Sequence, residues 1–242
     1  MTRVAVITGA GAGLGRACAS KLAADGLQLV LVDNDEAAVS LVADQLGGSG
    51  AEIATCVVDI RDQQACQHAI GTAVERFGRV DVLVNAAGVY PRRPVLDISA
   101  DDWQFVFQVN VLGTYFMMTA AIADMRTRGR GHIINVSSID GFKAHPANAH
   151  YAATKAAVIS ITRSLALEVA PFGILVNSVA PGPMATAAAK LTDWYEPMVA
   201  ALPTRQPIEP DEVARMVAYL SSIDNVSIAG ENIVVSGGGV IV

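Results

Sequence analysis

The chain has 242 residues, 52% of them hydrophobic and 17% charged, and a formal net charge of -6. Ordinary domains carry about 25% charged residues, so much apolar surface has to be buried, some of it between subunits. The acidic balance argues against a surface that tracks a nucleic-acid backbone, which needs clustered Lys and Arg.

In chain order, continuous apolar runs near 4–8, 28–33, 52–58, 80–85, 132–137, 174–179 and 232–235 read as strands. Helical patterns lie between them near 14–26, 36–47, 62–78, 101–128, 150–170 and 210–222. Unbroken apolar runs are what parallel strands covered on both faces require, and right-handed crossovers place a ligand crevice at their carboxyl ends. The expected fold class is α/β, a doubly wound, Rossmann-type, seven-stranded parallel sheet with helices on both faces. No Pro/Gly/Ser-rich linker divides the sequence, so residues 1–242 are expected to form a single domain.

The first run, Val4 to Ile7, leads into Thr8-Gly-Ala-Gly-Ala-Gly-Leu-Gly15 and then a helical stretch. Strand, glycine loop and helix in that order suit a pyrophosphate held by free N–H groups at a helix N-terminus. The backbone of Gly9, Gly13, Leu14 and Gly15 is the candidate cradle, and a flexible apolar turn is the bland alternative. Asp33 closes the second run, at the place where an acid binds adenosine ribose hydroxyls and repels a 2′-phosphate. NAD is therefore the expected cofactor, unless Asp33 merely caps the next helix. Asn110 stands inside a long amphipathic segment where Asn is a poor helix former. Ser138 follows the fifth run, and Tyr151 and Lys155 lie at i and i+4 in the next helix, on one face. An ammonium about 4 Å from a phenolate attracts it by roughly 4 kcal/mol at an effective dielectric of about 20. That is enough to lower the tyrosine by up to ~3 pKa units. A surface Tyr/Lys pair is the alternative for these two residues alone.

Gly9-x-x-x-Gly13-x-Gly15 together with Ser138, Tyr151-x-x-x-Lys155 and Asn110 resembles the short-chain dehydrogenase/reductase family over essentially the whole chain. The resemblance implies hydride transfer between NAD and a secondary alcohol or ketone. Tyr151 is then the general acid/base, Ser138 a hydrogen-bond donor to the substrate oxygen, Lys155 a ligand of the nicotinamide ribose, and Asn110 the holder of a water beside Lys155. It further implies that Asp59 and the backbone of Ile60 meet adenine, with a helix cap an equal alternative for Asp59. Asn85-Ala-Ala-Gly88 resembles the family's Asn-Asn-Ala-Gly and would line the cofactor. Pro181-Gly182-Pro-Met184-Ala-Thr186 resembles the segment that holds the nicotinamide carboxamide, and the stretch near 187–210 is of the kind that covers a substrate. Ser236 stands where relatives usually have Asp.

Tyr90, Asp140 and His145 lie in loops expected near the crevice mouth and are candidates for a small-molecule substrate pocket. A carrier-bound 3-ketoacyl reductase, and an NAD-binding regulatory protein without turnover, are the alternatives to the alcohol dehydrogenase. A sugar-nucleotide epimerase or dehydratase fits the chain length and glycine spacing poorly. Family members are commonly homotetramers joined through helices matching 101–128 and 150–170. Cys18, Cys56 and Cys66 lack metal-ligand spacing, so reduced packing thiols and no metal are expected. No uninterrupted apolar stretch reaches the ~18 residues that suggest a membrane span, and Met1 runs directly into the first strand without a signal peptide. No membrane association and a cytoplasmic location are expected.

Overall fold

A computed structural model describes residues 2–242. Its elements are β1 (Val4–Thr8), α1 (Gly13–Ala24), β2 (Gln28–Asp33), α2 (Glu36–Leu46), β3 (Ile53–Val57), α3 (Gln63–Phe77), β4 (Val82–Asn85) and α4 (Ala100–Phe107). A π-helical turn (Gln108–Gly113) joins α4 to α5 (Thr114–Arg128). Then follow β5 (Gly131–Val136), α6 (Ala149–Val169), β6 (Ile174–Pro181), α7 (Ala187–Lys190), α8 (Tyr195–Ala200), α9 (Pro210–Leu220) and β7 (Asn232–Val235).

All seven strands join one parallel sheet in the order β3-β2-β1-β4-β5-β6-β7. The order reverses between β1 and β4, and there the carboxyl ends of neighbouring strands diverge into a crevice. Successive side chains of a strand face opposite sides, so β1 feeds two cores. Ile7, Leu29 and Leu31 pack with Leu22 of α1 and Val213, Val217 and Leu220 of α9. Val6, Val30 and Leu83 pack on the other face with Cys66 and Ile70 of α3 and Met117, Met118 and Met125 of α5. Every residue of β1 is buried, which is why its sequence is an unbroken apolar run. The three cysteines are free and buried, and burial pushes the Cys18 and Cys66 thiols up to about 12. Among the described residues no group of His, Cys, Asp and Glu is suited to a metal.

Three expectations change. The sequence predicts one helix over 101–128, whereas Gln108–Gly113 forms a π-helical turn around the buried Asn110. Such turns interrupt the i→i-4 ladder where a side chain competes for backbone groups. The run Ala100–Arg128, with a mean hydropathy of 1.5 in its most apolar window, is also long and apolar enough to cross a membrane by length and composition. Counting only uninterrupted apolar residues misses it. Here Met117, Met118, Ala121 and Met125 are fully buried against the sheet, the packing of a core helix. The fourth strand begins at Val82, not 80, because Val80 donates its N–H to Asp124 Oδ2 at 3.0 Å instead of to the ladder.

Candidate active site

Thr8 ends β1 with its hydroxyl accepting from the N–H groups of Ala86 and Ala87, both at 3.2 Å. This ties the glycine loop to the end of β4. Gly9 has φ +65°, and a Cβ there would lie 2.8 Å from the Ala87 backbone. A Cβ on Gly15 would lie 2.0 Å from the Gly9 carbonyl oxygen, so helix α1 approaches the loop that closely only without side chains. The backbone of Gly9, Gly13, Leu14 and Gly15 lines a crevice of about 470 Å³.

Asp33 ends β2 at the crevice wall, accepting from Gly11 N–H at 2.9 Å and Asp35 N–H at 3.1 Å. The helix that follows is capped by Asp35, whose side chain accepts from Ala38 N–H at 3.0 Å. Asp33 is therefore not that cap. Asp59 is not one either, since α3 is capped by Asp62. Its carboxylate instead pairs with Arg61 at 2.5 Å, and those hydrogen bonds hold it below the usual carboxylate range. Asp59, Ile60 and Arg61 all line the crevice, with Arg61 over the Phe105 ring at 5.5 Å. Neither Arg61 nor Phe105 was singled out from sequence.

Asn85 corrects a second expectation. As the last residue of β4 its side chain turns to the α5/α6 face, where Nδ2 donates to Asn135 Oδ1 at 2.9 Å and Asn135 continues to Thr162 Oγ1 at 2.9 Å. It is buried and absent from the crevice wall, which is formed by Ala86, Ala87 and Gly88. The amide chain instead pins β4 to β5 and α6.

Ser138, Tyr151 and Lys155 converge on the crevice from the end of β5 and the first turns of α6. Ser138 Oγ accepts from Asp140 N–H at 3.1 Å, which fixes its rotamer at the start of a 3-10 turn over Ile139–Gly141. The Ser138 hydroxyl also hydrogen-bonds Tyr151. Lys155 is buried, and its Nζ donates to Val136 O at 2.8 Å and lies 5.7 Å from the centre of the Tyr151 ring. The π-turn explains Asn110. Its Oδ1 accepts from Val89 N–H at 2.9 Å, and its Nδ2 donates to Val89 O at 2.9 Å and Thr154 Oγ1 at 3.1 Å. Both donors are taken, so its side chain clamps the loop after β4 against α6 and leaves one Oδ1 lone pair near Lys155.

The electrostatics differ from the expectation that Lys155 acidifies Tyr151. Burial raises the Tyr151 phenol above its ordinary value, opposed by its hydrogen bond with Ser138. Asp140 and Tyr90 push the same way as burial, and the opposing cation is Arg92. Burial also lowers Lys155 to about 8, so the ammonium that was to help is itself destabilised. For Lys155 the folded chain holds fewer protons than the unfolded chain between pH about 8 and 10.5, so stability should rise with pH across that window. Comparing urea unfolding of wild type and Lys155→Met, the wild type should gain about 3 kcal/mol on the variant from pH 7.5 to 10.5. A difference that stays constant with pH contradicts the buried, destabilised ammonium.

Pro181 and Gly182, at the end of β6, line the same crevice with Met184 and Thr186. Met184 bridges to Ile208, and the Thr186 hydroxyl caps α7 by accepting from Ala189 N–H at 3.1 Å. Ser236 now has an account. Its Cα would stand 3.1 Å from a Cβ on Gly182, and its hydroxyl accepts from Val240 N–H at 3.2 Å. It thereby fastens the C-terminal turn behind the loop that follows β6.

Beside Tyr151 and Ser138 opens a smaller slot of about 120 Å³. Tyr90 and Asp140 line it, and so do Ala189, Trp194 and Met198 from the 187–210 segment. His145 does not. Its Nε2 stands 3.3 Å from Asp140 Oδ1, behind the wall. The sequence also left Arg92 unremarked, although it lines the slot with its guanidinium 4.6 Å from the centre of the Trp194 ring.

The model of the short chain dehydrogenase family matches residues 3–196. Oxidoreductase UcpA of Salmonella typhimurium is 36% identical over 98% of this chain and 94% of that protein. The trans-4-hydroxycyclohexanecarboxylate dehydrogenase of Sinomonas cyclohexanicum is 34% identical over 98% of this chain and 92% of that protein. Among solved structures, an NAD+-bound xylitol dehydrogenase superposes with a TM-score of 0.92 at 30% identity, covering 98% of each chain. ElxO with NADP bound superposes at 0.93 and 28% identity, covering 99% of each. The shared fold thus accommodates either cofactor. The glycine loop at the β1/β4 divide, the parallel sheet and matches along nearly the full length lead to one conclusion: this chain belongs to the short-chain dehydrogenase family, oxidoreductases that bind a nicotinamide cofactor and act on small molecules.

Proposed function

We propose that the protein transfers hydride reversibly between NAD(H) and a secondary alcohol or ketone, with Tyr151 as general acid and base. The observation that carries this reading is the meeting of the Ser138–Tyr151 pair with the glycine loop and Asp33 in one crevice.

The residues present fit a dinucleotide. Backbone from Gly9 to Gly15, free of side chains where a Cβ would collide, suits a pyrophosphate at the start of α1. Asp33 is placed for ribose hydroxyls, Ile60 for the adenine, and Pro181, Gly182, Met184 and Thr186 for the nicotinamide end. Bound there, the cofactor supplies or accepts the hydride. The chain's own residues handle the proton. Tyr151, whose phenol burial pushes further above its ordinary value, carries its proton at neutral pH and is ready to donate to a carbonyl oxygen as negative charge develops there. Ser138 shares that oxygen through a second hydrogen bond. Lys155, fixed by Val136 O at 2.8 Å, would hold the hydroxyls of the nicotinamide ribose. Asn110 holds the Val89 loop in place, and its remaining lone pair suits a water of a proton path toward Lys155. In the oxidising direction Tyr151 must first lose its proton, so oxidation should run fastest at alkaline pH.

An assay at pH 9 that follows NADH absorbance with NAD and a panel of secondary alcohols is expected to show turnover. Silence across the panel, with NADH binding intact, would favour an NAD-binding protein without turnover. The homotetramer remains a proposal for light scattering. Trp103, Phe107 and Tyr115, all partly exposed on the α4–α5 side, provide apolar surface for it.

A further inference from the structure

We infer that Arg92 is a specificity residue that selects substrates carrying a carboxylate on a compact apolar body. The inference rests on the proposal that the slot beside Tyr151 receives the substrate.

Arg92 is half-buried on the loop after β4 and lines the slot with Ser138 and Tyr151. Its guanidinium has no carboxylate partner among the described residues. It stacks on Trp194 at 4.6 Å, and Nη2 lies 3.3 Å from Met198 Sδ, a weak acceptor. A guanidinium's five donors form a planar fork that matches a carboxylate in two parallel hydrogen bonds. Stacking on an indole fixes that plane without using the donors. Most of the fork is therefore left for a ligand, close enough to the phenol that the Arg92 charge lowers the Tyr151 pKa.

The slot also contains Asp140, which would repel an anion or attract an amine. Its side chain is only 9% exposed, and its oxygens are aimed at neighbouring side chains. Asp140 Oδ2 accepts from Asn148 Nδ2 at 2.5 Å, and Oδ1 faces His145 Nε2 at 3.3 Å. Both Asp140 oxygens face neighbouring side chains, whereas most donors of Arg92 remain open to a ligand, so the slot favours an anionic group over a cationic one. The rest of the wall, with Pro183, Met184, Ala189 and Trp194, is apolar. Its size, about 120 Å³, suits a compact body better than an extended one. A cyclic or short-chain hydroxy acid, with its hydroxyl at Tyr151 and its carboxylate at Arg92, is the ligand class that satisfies both ends.

The test is calorimetric titration of NADH-loaded protein with cyclohexanecarboxylate and with its neutral, nearly isosteric carboxamide. Wild type should bind the acid about 10- to 100-fold more tightly. Arg92→Met should erase that preference, while Arg92→Lys should keep part of it. An unchanged carboxamide affinity in both variants reports that the slot is intact. Equal affinities in wild type, or an acid preference that survives Arg92→Met, overturn the inference. Acid-selective binding without turnover of any 4-hydroxycyclohexane derivative supports Arg92 as an anion site while sinking the proposed reaction. Turnover of neutral alcohols with no acid selectivity does the reverse.

Discussion

Tyr151→Phe is expected to lower kcat by at least ~10³-fold, within the range attributed to general acid–base groups, while changing the dissociation constant for NADH by less than about threefold. The reason is geometric. Only the hydroxyl is removed, and the ring that packs beside Lys155 at 5.7 Å remains, so the crevice keeps its shape. Ser138 loses a partner yet stays fixed through Asp140 N–H at 3.1 Å, so a drop in rate cannot be assigned to a collapsed loop. Single-turnover kinetics and NADH fluorescence titration on the same preparation separate the two quantities. A variant that keeps more than a tenth of the wild-type kcat removes Tyr151 from the proposed chemistry.

Asp33→Asn should reduce the preference for NAD over NADP, as a ratio of kcat/KM values, by at least ~10²-fold. A hydrogen bond to a charged group contributes about 1.5–3 kcal/mol, and the same charge repels a 2′-phosphate. The amide still accepts from Gly11 N–H, the 2.9 Å bond that ties loop to strand, so the fold should persist. Asp35→Asn is the control. It alters the true cap of α2, bonded to Ala38 N–H, and should leave the cofactor ratio unchanged. A wild type that already prefers NADP contradicts the reading of Asp33, and the superposable NADP-bound ElxO makes that a real alternative outcome.

The sheet and its helices were legible because their signals are local. Unbroken apolar runs mark strands buried on both faces, and β1 with five buried residues out of five is such a run. The glycine loop was legible because Gly9 and Gly15 meet backbone that no side chain could approach. The misses share a cause in tertiary contact. Asn85 resembles a cofactor residue in sequence but turns toward Asn135, fifty residues away. His145 turns to Asp140, a contact that composition and spacing do not reveal. The π-turn surrounds Asn110, which bonds the Val89 backbone 21 residues earlier, a contact no helical pattern encodes. Arg92 gave no sequence signal, since its meaning depends on Trp194 and Met198, about a hundred residues later in the chain. The acidity of Tyr151 was misjudged because the i, i+4 spacing gives proximity and no dielectric. Burial outweighs a lysine that burial also weakens.

The most direct measurement is a crystal structure of the complex with NADH and a cyclic ketone. The account predicts the ketone oxygen about 3 Å from both Tyr151 Oη and Ser138 Oγ, with the nicotinamide ring alongside and the adenosine ribose against Asp33. A ketone oxygen turned away from Tyr151, or a dinucleotide bound outside the glycine loop's crevice, would contradict it.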